Sequence, residues 1–393
     1  MFVRKWESGG CEHKIIIALY VDDIMGASTH PEDQDQFLSE LRQRFTVRDE
    51  TQSGEGWILN MKYTYPPDRS TVVISQEAAI TALVRKYGLD QERLRARDLF
   101  ETPMAQGTRL EPNEGDPVPT DEFNYPSLVG ACLYLAQATR PDIAYAVMSL
   151  ARFVNNPGKP HVKAARHLLR YLWRTRDLGL RYCRYPNNHV VRFESFESHS
   201  TASPADRSQK WNEGTPEFDP GLQENYSDAS YGGSYDGRSV TGFVFLLCGG
   251  AVKWGSKLQA VTALSTAESE LYAVTEATKE ALFLRTLLSE LGHSDLSKPA
   301  RMYEDNSACI AQGMSLKARS KAKHYVLRLR FLQERVARGE IYLVHCPTTR
   351  MVADAFTKQL ELNQFQRLRD HMLGWRRLDQ QEDAKAGGSS TSF

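Results

Sequence analysis

The chain has 393 residues, 41% of them hydrophobic and 25% charged, which is enough for about two to three domains with buried cores. Its 49 basic residues balance its 49 acidic residues, which excludes a polybasic nucleic-acid binder by bulk charge but leaves local basic patches open. The longest apolar stretches are strand-sized, so the sequence predicts no membrane span, and it shows no signal peptide.

The first predicted element is a β-hairpin. An apolar run that begins after Lys14 leads to Asp22 and Asp23, and a second, shorter apolar segment follows them. Carboxylates at a hairpin tip can hold a metal ion, although an Asp-Asp pair between two strands is more often only a turn, and both interpretations stay open. Hydrophobic spacing then predicts a helix over 31–45.

The next segment combines strands, a helix and a linker. Strands are predicted over 56–65 and 71–75, and a helix over 76–87 that ends at Gly88. Proline, glycine and acidic residues make 101–122 a linker composition. From 125 to 182, the spacing predicts an antiparallel helix pair broken at Asn155-Asn156-Pro157-Gly158.

Two stretches carry local positive charge. Eight lysines or arginines lie between 159 and 184 against one acid, Asp177, and eight more lie between 317 and 338 against Glu334. Basic residues interleaved with aromatic ones are typical of a nucleic-acid surface, and a solvated helix face is the alternative. The six cysteines lie far apart without a Cys-x-x-Cys pair, which indicates neither a zinc site nor a disulfide framework and favours a reducing compartment.

The C-terminal half alternates strands and helices after a polar insertion over 186–222. We predict strands at 224–230, 239–247, 251–257, 300–304 and 341–346, and helices at 266–291, 306–313, 321–339 and from about 351. Strands first, followed by alternation with helices, predict a mixed sheet flanked by helices.

Four acids fall where this sheet would gather them, namely Asp228, Glu270, Asp305 and Asp354. Like charges that converge repel each other, so such a cluster is costly without a cation between its members. Two Mg²⁺ or Mn²⁺ ions clamped by carboxylates supply the charge that phosphodiester hydrolysis needs. Glu268 competes with Glu270 by propensity, and we favour Glu270 because its Glu-Leu-Tyr-Ala context places it above residues facing the sheet.

A family resemblance rests on seven motifs in this half of the chain. They are Tyr226-Ser-Asp-Ala-Ser, Arg238-Ser-Val-Thr-Gly-Phe-Val-Phe, Val252-Lys-Trp-Gly-Ser-Lys-Leu-Gln, Ala263-Leu-Ser-Thr-Ala-Glu-Ser-Glu-Leu-Tyr-Ala, Glu304-Asp-Asn-Ser-Ala, Lys323-His and Ala353-Asp-Ala-Phe-Thr-Lys. Together they closely resemble the ribonuclease H domain in the Pol polyproteins of Ty1/copia-type retrotransposons. Upstream, Tyr20-Val-Asp-Asp, Thr102-Pro-Met, Tyr125-Pro-Ser-Leu-Val-Gly and Thr139-Arg-Pro-Asp-Ile-Ala resemble the reverse transcriptase of the same polyproteins.

The resemblance implies an α/β fold with a ribonuclease H-like mixed five-stranded sheet flanked by helices. It implies that Asp228, Glu270, Asp305 and Asp354 bind two Mg²⁺ or Mn²⁺ ions and cut RNA paired to DNA, and that Asp22 and Asp23 are polymerase metal ligands. The implied partners are RNA:DNA hybrid, single-stranded nucleic acid and other parts of the polyprotein. The implied location is intracellular, in cytoplasmic virus-like particles and in the nucleus.

The resemblance also divides the chain. We expect a partial reverse-transcriptase palm over 1–105, a helical thumb or connection over 106–185, the polar insertion over 186–222, the ribonuclease H-like domain over 223–365 and a flexible tail over 366–393. The chain begins shortly before the hairpin, whereas a polymerase palm needs a third carboxylate well upstream, so polymerisation by this chain alone is not expected. The loop before Asp354 lacks the mobile histidine of bacterial and retroviral relatives.

Three functional hypotheses follow. The first is an active hybrid nuclease behind a truncated polymerase. The second is a remnant of a decayed element that binds nucleic acid without cutting it. The third is a subunit that completes a polymerase supplied by another chain.

Overall fold

The computed structural model describes residues 1–48, 54–89, 100–183, 224–315 and 323–375. The predicted insertion over 186–222 lies outside these ranges, as does the start of the second basic stretch. No helix within the described ranges is both long and apolar enough to cross a membrane.

The N-terminal unit is a three-stranded antiparallel sheet with one helix. Its strands are β1 (Phe2–Ser8), β2 (Cys11–Tyr20) and β3 (Asp23–Ser28), and its helix is α1 (Pro31–Arg42). Tyr20 pairs with Asp23 across a two-residue turn, so the predicted hairpin is confirmed and its acids lie at the tip.

A second antiparallel sheet joins distant parts of the chain. It contains β4 (Glu55–Ile58), β5 (Met61–Thr64), β6 (Thr71–Ser75) and β7 (Leu180–Cys183), in that order, and α2 (Glu77–Lys86) follows β6. The stretch 56–65 folds as two strands because Leu59 and Asn60 both adopt positive φ, at 50° and 58°, as a tight hairpin turn requires. Because β7 pairs with β6, this sheet crosses the expected boundary between 1–105 and 106–185.

Three helices replace the predicted helix pair. They are α3 (Tyr125–Ala138), α4 (Ala144–Ala151) and α5 (Lys159–Arg174). The prediction of two helices was wrong because Pro141 disfavours helical backbone at the preceding Arg140, so the first helix ends and a short 3₁₀ turn over Pro141–Ile143 leads into α4.

The C-terminal unit is built on a five-stranded mixed sheet. Its strands are β8 (Glu224–Ser230), β9 (Val240–Leu247), β10 (Gly250–Leu258), β11 (Ala300–Glu304) and β12 (Ile341–His345), in the order β10-β9-β8-β11-β12. β8, β9 and β10 are antiparallel, whereas β11 runs parallel to both β8 and β12. Its helices are α6 (Thr266–Glu290), α7 (Ser307–Gly313), α8 (Lys323–Ala337) and α9 (Leu362–Met372). The predicted fold class is confirmed.

Both faces of this sheet are covered. Phe245, Met302 and Leu343 point into a core shared with α6 and α8. Their strand neighbours Val244 and Tyr303 point the other way, into a core that continues through α3, α4 and α5. The helical segment and the C-terminal sheet therefore share one hydrophobic core.

Two predictions near the C terminus were wrong. No helix begins at 351; two 3₁₀ turns, Thr348–Arg350 and Val352–Phe356, precede α9. All five residues of the second turn are buried, so the segment has no solvent face of the kind an amphipathic surface helix needs. The expected tail over 366–393 also starts too early, because α9 extends to Met372; residues 376–393 lie outside the described part.

Candidate functional site

Strand register places two of the four predicted acids side by side. In the parallel pair β8 and β11, Tyr226 lies opposite Tyr303, and their rings stack with centroids 4.9 Å apart. Asp228 and Asp305 each follow two residues later, so both belong to the same face. Asp228 lies two residues before the end of β8, and Asp305 directly follows β11. Asp228 is buried, whereas Asp305 is partly exposed.

The third acid, Glu270, comes from the N-terminal part of α6. Ser265 caps this helix by accepting from the Glu268 backbone N–H, and the Glu268 carboxylate accepts from the Leu264 N–H at 2.8 Å. Glu268 is thus committed to the helix start, while Glu270 is buried. The structure thereby separates the two glutamates between which the sequence left a choice.

The three carboxylates converge. One oxygen from each of Asp228, Glu270 and Asp305 can be chosen such that all lie within 4.8 Å of one another. Glu270 Oε2 is buried without a hydrogen-bond partner. Carboxylate oxygens at this spacing are the hard ligands that Mg²⁺ and Mn²⁺ prefer, so the donor set and the orphaned oxygen both fit such ions.

Asp354 joins the cluster from the buried 3₁₀ turn Val352–Phe356. It does not belong to the group of three, but the Asp228 charge acts on it, and the Thr357 hydroxyl on the same segment donates to Asp228. Lys358 Nζ lies 2.7 Å from Asp354 Oδ1 and forms an ion pair with it. The segment therefore brings one acid, one hydroxyl and one ammonium to the cluster.

Burial and mutual repulsion keep these acids protonated beyond their usual range. Burial, followed by Glu304 and Asp228, raises the pKa of Glu270 to about 12. Burial and the Asp228 charge raise the pKa of Asp354 to about 7. Burial also raises the pKa of Asp228, although Lys358 opposes that shift. A cation among the carboxylates would relieve this repulsion.

Sequence reasoning missed a fifth acid and one base. Glu304 is fully buried beside Asp305, accepts from Ser227 Oγ at 3.1 Å and has a pKa well above its usual range, mainly through burial. Burial alone would lower the pKa of Lys358, but Asp228 and Asp354 outweigh it and raise that pKa. Two signals in the sequence were available. Glu304 directly precedes Asp305 at a strand end, and Lys358 follows Asp354 by four residues.

Gly242 lets the segment that carries Asp354 approach the sheet. It pairs with Asp228 across β8 and β9, and a Cβ there would lie 2.6 Å from Thr357 Cγ2, 2.8 Å from Phe356 Cβ and 2.9 Å from Ala353 O. Backbone and a short side chain leave little room to yield. Only glycine fits this contact without displacing 353–357.

We expect Gly242→Ala to lower the free energy of unfolding by about 1–3 kcal/mol, through overpacking of this contact. Urea denaturation measures the change. Gly130→Ala is the matched control, because a Cβ at Gly130 meets nothing within 4 Å and the position lies in α3. The control should be neutral or stabilising; equal destabilisation by both variants would contradict the role of Gly242.

Asp22 and Asp23 stand apart from this cluster. Both are exposed at the hairpin tip between β2 and β3. Within the described ranges, neither belongs to a group of three potential metal ligands. Their predicted role as polymerase metal ligands stays a prediction.

The basic stretches are partly engaged within the protein. On α5, Arg166 lies over the Phe123 ring at 5.2 Å, Arg170 lies over the Phe100 ring at 5.7 Å, and Arg174 pairs with Glu101. Phe100, Glu101 and Phe123 lie at the two ends of the linker over 101–122, so these arginines hold those ends against α5. In the second stretch, residues 316–322 lie outside the described part, so its predicted nucleic-acid surface stays a prediction.

Comparisons with known proteins assign the chain to a family. No protein-family model matches it. The retrovirus-related Pol polyprotein of transposon TNT 1-94 from Nicotiana tabacum is 28% identical over 358 residues, which is 90% of this chain and 24% of that protein. The putative transposon Ty5-1 protein YCL074W from Saccharomyces cerevisiae is 30% identical over 271 residues, which is 68% of this chain and 73% of that protein.

Two further similarities cover less of the chain. The secreted RxLR effector protein 161 of Plasmopara viticola is 35% identical over 161 residues, which is 41% of this chain and 90% of that protein. The crystal structure of ribonuclease H1 from the archaeon Halobacterium salinarum matches with a TM-score of 0.25 and 17% identity, over 34% of this chain and 92% of that chain.

The chain spans about a quarter of the tobacco polyprotein, so these similarities reach one part of such a polyprotein and not its whole activity. The Ty5-1 match extends over most of both chains, and the tobacco match runs through both the hairpin half and the C-terminal sheet. The chain belongs to the family of Pol polyproteins from Ty1/copia-type retrotransposons.

Proposed function

We propose that the C-terminal unit is a ribonuclease H that hydrolyses the RNA strand of RNA:DNA hybrids. In this proposal Asp228, Glu270, Asp305 and Asp354 hold two Mg²⁺ or Mn²⁺ ions. The observation that carries it is the convergence of three carboxylates, one with an unpartnered buried oxygen, at the ends of two neighbouring strands. Family membership supports the choice of nucleic acid as substrate.

The ions, when bound, would activate water and stabilise the leaving oxygen on either side of the phosphorus. The chain itself would orient their ligands. Thr348 Oγ1 donates to Asp305 Oδ2 at 2.9 Å, and the Thr357 hydroxyl donates to Asp228. Lys358 places a positive charge beside Asp354, where it would attract an anionic nucleic-acid backbone.

We further propose that this chain does not polymerise DNA by itself. Support comes from the hairpin tip, where Asp22 and Asp23 have no third ligand group among the described residues. Its partners would be hybrid and single-stranded nucleic acid and other parts of the polyprotein, in cytoplasmic particles or the nucleus.

The test is cleavage of end-labelled RNA in four forms, as RNA:DNA hybrid, single strand, RNA duplex and a hybrid with EDTA. We expect shortened RNA only from the hybrid with Mg²⁺ or Mn²⁺. Strong, salt-sensitive binding to hybrid without cleavage in Mn²⁺ would instead favour a non-catalytic nucleic-acid-binding remnant. Equal cleavage of single strand and hybrid would overturn the proposed specificity.

Mg²⁺ should stabilise the protein more strongly as pH rises. The raised pKa values mean that the folded chain binds more protons than the unfolded chain between about pH 4 and pH 7, so stability without metal falls as pH rises. Mg²⁺ binding offsets the repulsion between the carboxylates once these have lost their protons. The Tm increase on adding Mg²⁺ should therefore be larger at about pH 8 than at about pH 5.5.

NaCl at matched ionic strength controls for general screening in that measurement. Calorimetry or dye-based melting can supply the Tm values. If Mg²⁺ raised the Tm by the same amount at both pH values, or if NaCl produced the same increase, the result would contradict a carboxylate site for the ion.

A further inference from the structure

Strand register brings two histidines together at the open end of the hairpin formed by β2 and β3. Ile15 pairs with Ser28, and the Thr29 N–H donates to Lys14 O at 2.9 Å. One more step along the same ladder sets His13 across from His30. The hairpin tip with Asp22 and Asp23 lies at the opposite end, beyond Tyr20, which is about 24 Å from His13 for seven strand residues.

A buried carboxylate completes this group. Asp33 lies in the first turn of α1, just after His30, which occupies the N-cap position. Its side chain is only 5% exposed, against 15% for His13 and 33% for His30. Burying a carboxylate is costly unless its charge is compensated, so Asp33 favours a positive partner.

The contacts among the three side chains are close. His13 Nδ1 lies 2.9 Å from Asp33 Oδ1 and 3.1 Å from Oδ2, and His30 Nδ1 lies 3.8 Å from Oδ2. The two imidazole centroids are 4.2 Å apart. One donor atom from each residue can be chosen with all three within 4.8 Å of one another.

We propose that His13, His30 and Asp33, here called the His-His-Asp cluster, bind a divalent transition-metal ion of the Zn²⁺ class. Two imidazoles and one carboxylate are a ligand set used for such ions, with a fourth position for water. Bonds of about 2.0–2.1 Å in a tetrahedron place neighbouring ligand atoms about 3.3 Å apart. The observed separations of 2.9 and 3.8 Å lie on either side of that value.

The hydrogen bond between His13 and Asp33 does not account for the position of His30 beside them. An imidazole–carboxylate bond needs only His13 and Asp33. His30 Nδ1, at 3.8 Å, is too far from Asp33 for a hydrogen bond but within range to share an ion with it. In the metal-free chain this nitrogen lies 3.1 Å from Thr29 Oγ1, a contact that a bound ion would replace. Trp6 stacks on His13 with ring centroids 5.3 Å apart, which fixes the His13 ring, and the greater exposure of His30 gives an ion access.

This site differs chemically from the carboxylate cluster of the C-terminal unit. Imidazole nitrogen suits Zn²⁺ and Co²⁺, whereas an all-oxygen set suits Mg²⁺. The bound ion would join β2, the loop after β3 and α1. A metal ion at the His-His-Asp cluster would therefore stabilise the fold of the N-terminal unit, independently of the proposed nuclease activity.

The experiment titrates the full chain with Co²⁺ and Zn²⁺ in excess Mg²⁺, which occupies the carboxylate cluster. We expect one equivalent of Co²⁺ with the visible absorption of a tetrahedral site, displaced by Zn²⁺. His30→Ala should weaken this binding at least tenfold, and His13→Ala and Asp33→Asn should do the same. Controls are His293→Ala, an exposed histidine that contacts Lys14 of β2, and Glu32→Gln, the exposed acid next to Asp33; both should bind as wild type.

The outcomes separate clearly. Wild-type Co²⁺ affinity in His30→Ala, or no tetrahedral Co²⁺ spectrum in the wild type, would overturn the proposal. Because His30 is the most exposed of the three, its alanine variant should fold, and far-UV circular dichroism checks this. Hybrid cleavage in Mg²⁺ should be unchanged in His30→Ala, so failure of this site and failure of the proposed nuclease remain distinguishable.

Discussion

Asp305→Asn is expected to abolish Mg²⁺-dependent cleavage of RNA:DNA hybrid, with a loss of at least about a hundredfold. The amide has the same shape but supplies no negative oxygen to an ion beside Asp228 and Glu270. Because Asp305 is partly exposed and Thr348 can still donate to the amide oxygen, the fold should persist. Removing one charge from a repelling cluster should leave the metal-free Tm equal or higher.

Asp295→Asn is the matched control for that variant. Asp295 lies in the loop after the C-terminal end of α6, far along the helix from Glu270, and its removal changes the net charge equally. The control should cleave at the wild-type rate. Full activity in Asp305→Asn would refute the assignment of the site, and equal losses in both variants would show a general charge effect.

Asp142→Ala should destabilise the protein by about 3–5 kcal/mol, the largest stability loss that we predict. Arg140 and Asp142 are both fully buried and form a bidentate pair, with Nε to Oδ1 at 2.9 Å and Nη2 to Oδ2 at 2.7 Å. Tyr171 OH donates to Asp142 at 2.5 Å, and Arg140 donates to Thr175 O at 3.0 Å. Alanine would leave a buried guanidinium without its counter-charge.

The double variant Arg140→Met with Asp142→Leu tests this explanation. Removing both charges relieves the uncompensated one, so the double variant should be more stable than Asp142→Ala. Asp177→Ala, an acid after α5 that is not part of the network, serves as control and should change stability by no more than about 0.5 kcal/mol. Urea denaturation followed by tryptophan fluorescence measures all three. A double variant as unstable as the single one would contradict the charge argument.

The hydrophobic core that the helices α3, α4 and α5 share with the C-terminal sheet makes the stability loss expected for Asp142→Ala relevant to function. Trp254 Nε1 on β10 donates to Ala136 O on α3 at 2.7 Å, and buried residues of both units pack in one cluster. Loss of the Arg140–Asp142 pair should therefore also loosen the unit that carries the acids. The linker over 101–122 and the three helices thus support the C-terminal sheet.

The candidate site could be predicted only in part. Asp228, Asp305 and Glu270 lie near strand ends and in the first turns of a helix, positions that hydrophobic periodicity makes readable. Asp354 was expected at a helix start and lies instead in a buried 3₁₀ turn. Glu304 and Lys358 were missed because their placement depends on the sheet register and on the buried turn that carries Asp354. The sequence context favoured Glu270 over Glu268, and the structure adds a physical reason, since the contact from the Leu264 N–H shows that Glu268 is already engaged at the helix start.

The sequence by itself determined the elements and their type: the hairpin with its acid tip, the strands of the mixed sheet, the long helix α6 and the family motifs. These depend on local periodicity and turn residues, which a chain carries in its order. Only the tertiary structure decided which elements meet. It joined β7 to β6 across the expected boundary, packed 353–357 against Gly242, and set His13 beside His30 and Asp33. Such contacts depend on register and on close packing between segments distant in sequence, and local pattern does not encode them.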